Sequence, residues 1–359
     1  MLKRRVTVAL GIAALAAGAA ACGSSSTTNS SASASNAAHS SSKLPTVTMM
    51  VGGIDKQIYL PYQLAQNLGY FKKYGVNMQL STEQEGGVGA EEAMASGQVD
   101  LAGAWYVHTI DFQEKGKDVV DIAQLSGAPG EREMCGKSAG ITSPSQWKGK
   151  TLGVTDIGSG TDELTEYLAH RYGLATGQYN RAAVGAGPTF VAALQHNRIA
   201  CGMTSQPTAG AVQGKGIGAT AMNLATTSGA EHWLGGSYPA AGVLARADWV
   251  SSHKQVAQDV VDAMVATMHW IHTHSAAQIA DAMPPKFVAN GLTTKAAYIS
   301  ELAADKGQFL PDGMMPASGP RTVLAVEKLV GNAPHPVNLT GTYTNSYVIA
   351  ANKLEGFAK

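Results

Sequence analysis

Two stretches of this chain recur at a spacing of roughly 100 residues, and that period restricts the fold more than any other feature. Leu64-Ala65-Gln66-Asn67-Leu68-Gly69-Tyr70 matches Leu168-Ala169-His170-Arg171-Tyr172-Gly173-Leu174, and Ala93 to Val99 matches Ala193 to Ile199. Such a period is the length of a lobe, too long for a solenoid repeat. The first copy reads as a strand from Pro45 to Val51, a helix from Ile58 to Leu68 that stops at Gly69, and a strand from Val76 to Leu80. A short helix with Ala90, Ala93 and Met94 on one side follows, and then a strand from Val99 to Ala104 that opens onto Trp105-Tyr106. This alternation predicts an α/β fold with a parallel-rich sheet in each lobe. On such sheets ligands sit at the carboxyl ends of the strands.

The second copy opens on Gly153 to Leu164, an apolar strand that passes through Gly158, Ser159 and Gly160 into a helix. The first N–H groups of a helix lack intrahelical partners, so this junction suits either a polar ligand or an ordinary cap by Ser159 or Thr161. The first-lobe turn from Gly52 to Ile58 matches Asp156 to Asp162, which predicts a cleft lined from both sides. Candidate ligand contacts are Asp55, Gln84, Glu85, Trp105, Tyr106, Ser159, Gly160, Thr161, Asp162 and Gln206. Tyr59 and Tyr238 close the cleft or sit in the hinge, Trp105 stacks on a planar ligand or packs beneath a loop, and Asp162 serves foremost as a cap of its own helix. The turns offer Asp55, Glu85, Asp156 and Asp162 against Lys56 as the main cation, a balance that leans towards a ligand with amine or amidine character.

At the N-terminus Lys3, Arg4 and Arg5 precede an apolar run from Val6 to Ala17, then small residues and Cys22, the layout of a secretory signal. Cys22 after the small residues resembles a bacterial lipobox, with Ala19 where the usual pattern has Leu; plain cleavage and secretion is the alternative. From Gly23 to Ser42 the chain is almost wholly Ser, Ala, Thr and Asn, which cannot bury enough apolar surface to fold and reads as a tether. Lys plus Arg and Asp plus Glu both number 26, which argues against a nucleic-acid binder. Cys135 and Cys201 form a disulfide within the second lobe or remain as two buried thiols.

Tyr59 to Ala65, continued through Gly69-Tyr70-Phe71-Lys72-Lys73-Tyr74-Gly75-Val76, resembles the opening of the nitrate, sulfonate, taurine and thiamine-precursor group of periplasmic binding proteins. Ala93 to Ala102, Trp147 to Val154 and Leu194 to Pro207 resemble later landmarks of that group, in order, although Ala200-Cys201 stands where the group has Asp. The resemblance spans residues 46 to 275 and implies a two-lobed α/β binding protein, type II-like, with a hinge and an interlobe cleft. The segments expected are 1–21 as signal, 22–43 as lipidated Cys and tether, 44–136 as the first part of lobe 1, 137–236 as lobe 2, and 237–359 as the return to lobe 1 and C-terminal helices. It further implies a monomer without catalysis or cofactor, anchored outside the cell membrane, that hands a small molecule to the permease and ATPase of an ABC importer. A ligand-sensing lipoprotein and a pyrimidine-synthesising enzyme of the thiamine-precursor branch are the rival readings.

Two further motifs lead nowhere. His269, His272 and His274 do not converge on one ion as an i, i+4 pair does, so no metal is expected there. Ser145-Gln146-Trp147-Lys148 fits the Ser-x-x-Lys of penicillin-recognising enzymes but lacks the accompanying Ser-Asp-Asn and Lys-Thr-Gly. The tail from Pro284 onward is expected to pack on the first lobe and to carry no chemistry.

Overall fold

A computed structural model describes residues 43–83 and 87–357. The signal segment, Cys22, the tether up to Ser42, and Gln84 and Glu85 lie outside the described residues. Among the described residues ten strands form two five-stranded sheets. The first holds β1 (Thr46–Val51), β2 (Asn77–Thr82), β3 (Leu101–Trp105), β4 (Val119–Gln124) and β10 (Ala241–Arg246), in the order β2-β1-β3-β10-β4. The second holds β5 (Glu131–Gly136), β6 (Thr151–Val154), β7 (Asn180–Ala183), β8 (Cys201–Ser205) and β9 (Gly218–Asn223), in the order β7-β6-β8-β5-β9.

The two orders are the same once the last strand of each copy is exchanged. β1 runs parallel to β2 and β3, as β6 does to β7 and β8. β10 then enters the first sheet antiparallel between β3 and β4, and β5 enters the second antiparallel between β8 and β9. Each lobe is therefore completed by a strand delivered from the other, and the chain crosses between them twice. The lobe boundary expected after residue 136 is corrected here: Glu131–Gly136 pairs with the second sheet, so the first crossing falls at residues 125–130.

The repeated helix ends share their backbone. Gly69 and Gly173 close the first helix of each copy with φ of 73° and 81°, where a side chain would be strained. Gly97 ends the second helix at φ 82°, and its counterpart Asn197 holds φ 53°, the one non-glycine residue with positive φ among the described residues. Asn is the residue best able to take that conformation without being glycine.

The C-terminal region does more than cover the first lobe. Helix Lys254–Thr273 packs on helices Leu60–Asn67 and Ser346–Leu354, but helix Gly319–Val330 lies along helix Gly160–Arg171 of the second lobe. Asp305, at the end of helix Lys295–Asp305, forms a buried two-point ion pair with Arg132 at the start of β5, at 2.7 and 2.5 Å. The tail, expected to pack on the first lobe, spans both lobes and brings buried acids with it. His272 bonds the Phe309 carbonyl, His269 stacks on Phe357 and His274 on Trp270. Ser145 lies exposed in a single turn capped by Ser143.

Asp121 in β4 gives a prediction of its own. Its Oδ1 accepts the Ala123 N–H at 3.0 Å, and burial, opposed by the backbone N–H groups of Ala123 and Val243, raises its pKa from 3.8 to about 7. The folded state thus holds this proton more tightly than the unfolded chain, so stability is lost as pH rises from near 4 through 7 and levels above. The shift amounts to about 4 kcal/mol at most. Asp121→Asn keeps the Oδ1 acceptor and removes the titration. Followed by thermal unfolding, the variant should melt several degrees above the parent at pH 8 and converge with it at pH 4; parallel pH curves would refute the assignment.

Candidate functional site

The carboxyl ends of the parallel strands in both sheets face the gap between the lobes. The Gln57 N–H donates to the Gln206 carbonyl across the gap at 2.9 Å. Trp105, at the end of β3, lies against the first turn of helix Gly160–Arg171 so closely that a Cβ on Gly160 would fall 2.7 Å from the ring Cζ3. Its ring meets Tyr238 edge-on, with centroids 6.3 Å apart. Trp105 and Tyr238 are both buried, and the Tyr238 hydroxyl has no hydrogen-bond partner. Trp105, Gly160 and Tyr238 thus come together at the interlobe contact.

Other candidates serve the scaffold. Thr155, Ser159 and Thr161 form a closed hydroxyl cluster with separations of 2.8 to 3.0 Å, so the turn after β6 satisfies itself. Ser159 is the N-cap, its Oγ facing the Asp162 N–H at 3.4 Å. Asp162 accepts the Gly158 N–H at 2.8 Å and pairs with Arg181 at 2.7 Å, so it braces its own helix start. Gln206 Oε1 accepts the Gly210 N–H at 2.8 Å. Tyr106 is buried, its hydroxyl 2.6 Å from Thr342 Oγ1 in the C-terminal segment.

In the first-lobe turn Asp55 is exposed, and it is Lys56 that is buried. Lys56 Nζ donates to the Gly52 carbonyl at 2.8 Å, and desolvation lowers its pKa against the opposing pull of Glu131, Glu83 and Asp55. Tyr59 packs beside it, 5.7 Å from Nζ to ring centroid, fully buried, with its hydroxyl beside Gly52. Burial drives the Glu131 carboxyl up to about 7, with Lys56 opposing.

A second polar group lies between the lobes. His108 and Asp111 sit three residues apart on helix Val107–Glu114, with Nδ1 and Oδ2 2.9 Å apart. Glu91 Oε1 stands 3.3 Å from His108 Nε2, close enough for an ion pair although the angles do not make a hydrogen bond. Glu163, from the second lobe, brings an oxygen within 4.8 Å of the donor atoms of both His108 and Asp111. Glu327 from the tail completes the group. Burial, then Asp111 and Glu327, drive the Glu163 pKa well above the carboxylate range; burial and Asp111 raise Glu327 to about 8. Two adjoining cavities of about 390 and 220 Å³ share Asp111, Lys115 and Gly158 in their walls and reach this group from outside. Carboxylates outnumber cations here, and the arrangement can hold a positively charged group. None of Glu91, His108, Asp111, Glu131, Glu163 or Glu327 stands among the candidates read from sequence, and Lys56 entered only as the main cation of the turns. The signals were nearby: His108 follows Trp105 by three residues, Glu163 follows Asp162, and Lys56 follows Asp55.

Two α/β lobes of equal strand order, each completed by the other's strand and closing on a buried polar cleft, define the periplasmic binding protein fold. The chain belongs to the NMT1/THI5-like family, whose model matches residues 58–301. A solved structure from Bordetella bronchiseptica RB50 is 26% identical, with a TM-score of 0.80, covering 88% of this chain and 100% of that one. The alkanesulfonate-binding protein SsuA from Xanthomonas axonopodis pv. citri, bound to MOPS, has a TM-score of 0.65 at 14% identity, covering 84% of this chain and 99% of its own. Among curated relatives, the 4-amino-5-hydroxymethyl-2-methylpyrimidine phosphate synthase THI12 of Saccharomyces cerevisiae is 30% identical over 142 residues, 39% of this chain. The chain spans 40% of the length of that relative.

Proposed function

We propose that this protein is the extracytoplasmic substrate-binding lipoprotein of an ABC importer, anchored through Cys22, which captures a small polar molecule by closing its two lobes and performs no catalysis. The observation that carries this reading is the buried, acid-rich cleft between two lobes joined by exchanged strands, since such lobes can rotate about the crossings without disturbing either sheet. The signal-like layout ahead of Cys22 supports export. The acid surplus supports a ligand with amine or amidine character, a thiamine-precursor pyrimidine or a taurine-like zwitterion. The pyrimidine-synthesis reading keeps its place because the curated relatives carry that name; release of a pyrimidine phosphate by the purified chain would replace the binding reading. A sensor role is separated from import by uptake: deleting the gene should abolish accumulation of the ligand.

Thermal unfolding of residues 43–359, one compact unit, against taurine, alkanesulfonates, nitrate, thiamine precursors, riboflavin and amino acids tests the reading. A ligand at a hundredfold excess over its Kd adds about 2.7 kcal/mol to the folded state. A saturable rise for an amine or pyrimidine is expected. A rise for nitrate or a sulfonate alone would overturn the charge argument, and a rise for none would count against every ligand class named.

A further inference from the structure

We propose that His108 and Asp111 of the first lobe and Glu163 of the second form a site for a divalent transition-metal ion, with Glu91 as the carboxylate that orients the histidine. One donor atom from each of the three residues lies within 4.8 Å of the other two. His108 Nδ1 and Asp111 Oδ2 are already 2.9 Å apart, close to the ~3 Å between neighbouring ligands at right angles on an ion with bonds of about 2.1 Å. One imidazole nitrogen with two carboxylates is a donor set for Zn²⁺, Mn²⁺, Fe²⁺ or Co²⁺, harder than the thiolate sets of structural zinc sites.

One buried side chain points to an ion independently of the count of acids. Glu163 is 3% exposed and its Oε2 has no hydrogen-bond partner. His108 is 4% exposed, and its Nε2 faces Glu91 Oε1 at 3.3 Å rather than the ion. With Nδ1 on the metal, the Nε2–H would turn to Glu91, the carboxylate–histidine–metal relay that fixes tautomer and ring orientation. An unpartnered buried carboxylate oxygen costs stability, and a cation among Glu91, Asp111, Glu163 and Glu327 removes that cost. The two cavities give a path for entry.

The ligands come from both lobes, so the ion would bind the closed arrangement and hold it. The site stands on this geometry and not on the importer reading, which survives if no metal binds.

The test uses the whole chain, stripped with EDTA and dialysed against Zn²⁺ or, separately, Mn²⁺, with bound metal measured by mass spectrometry and compaction by small-angle scattering. The parent should retain one equivalent and shrink on binding. His108→Ala and Glu163→Gln, checked for folding by circular dichroism, should each weaken binding at least about tenfold, and neither should compact. Binding of neither ion by the parent would overturn the site. Equal retention by His108→Ala would assign the metal to other residues. Binding without compaction, or unchanged in Glu163→Gln, would remove the second lobe from it. A panel amine that binds the parent and is lost in both variants, with no metal retained, would assign the cluster to an organic cation.

Discussion

Replacing Gly160 with alanine is expected to prevent full closure and to weaken ligand binding at least about tenfold, while leaving each lobe folded. Gly160 is the first residue of its helix and Trp105 of the opposite lobe packs directly on it. An alanine methyl would stand 2.7 Å from Cζ3 and 2.9 Å from Cδ2 of the indole, well inside ordinary contact. Within its own helix alanine is the better former by about 1 kcal/mol, so the substitution carries no intrinsic cost to the second lobe. The clash exists only when the lobes are together. In the binding reading the affinity depends on the closed state, and one excluded contact costing 1.4 kcal/mol is a factor of ten. Scattering should report a larger radius in the presence of ligand, with an unfolding midpoint for the free protein within a few degrees of the parent. Trp105→Leu in the same chain removes the ring carbons that clash and should restore compaction. If Gly160→Ala binds and compacts as the parent does, the Trp105–Gly160 contact is not the closing surface.

The architecture was legible because it is written twice. Matching helix ends at Gly69 and Gly173, and the Gly97 and Asn197 pair, are local constraints that any fold must satisfy, and they locate equivalent elements without knowledge of what packs on them. The crossing strand was not legible. Glu131, Arg132 and Glu133 are charged residues in a strand that is buried along its whole length, and a central strand is ordinarily apolar. Arg132 is held by Asp305, which lies 173 positions away in the chain, so its tolerance for burial is a tertiary fact. The same holds for the site. Periodicity predicts that a turn presents polar groups, but not which of two neighbours turns inward. Asp55 is exposed and Lys56 is buried; Asp162 braces its helix while Glu163 enters the cluster with His108. Tyr106 went to the C-terminal segment because Thr342 offers its hydroxyl a partner there, and a sequence has no means of expressing a contact across 236 positions. The tail looked empty for the same reason, since Glu327 matters only where its helix lies along Gly160–Arg171.

Loss of the Cys135–Cys201 bond is expected to lower stability by about 2–4 kcal/mol. The two cysteines face each other in register across β5 and β8, with Cα atoms 3.9 Å apart, and close a loop of 66 residues. Chain entropy alone gives about 4 kcal/mol for a loop of this size, and measured effects usually fall below that estimate. The location adds weight. β5 is the strand that arrives from the first lobe, and its bond to β8 ties it to the strand that belongs to the second copy's own sequence. Both sulfurs are buried, and Cys201 is fully excluded from solvent, so reduction requires denaturant or opening of the sheet. For a unit of this size the expected fall in Tm is roughly 3–6 °C. Unfolding of the parent, of the parent refolded under reducing conditions, and of Cys135→Ala with Cys201→Ala separates the link from the packing. The reduced parent keeps its sulfur atoms and loses only the covalent closure, so it should account for most of the change. A reduced parent that melts with the oxidised one would mean that the sheet holds β5 without the bond, and the fall in the alanine variant would then belong to the cavity alone.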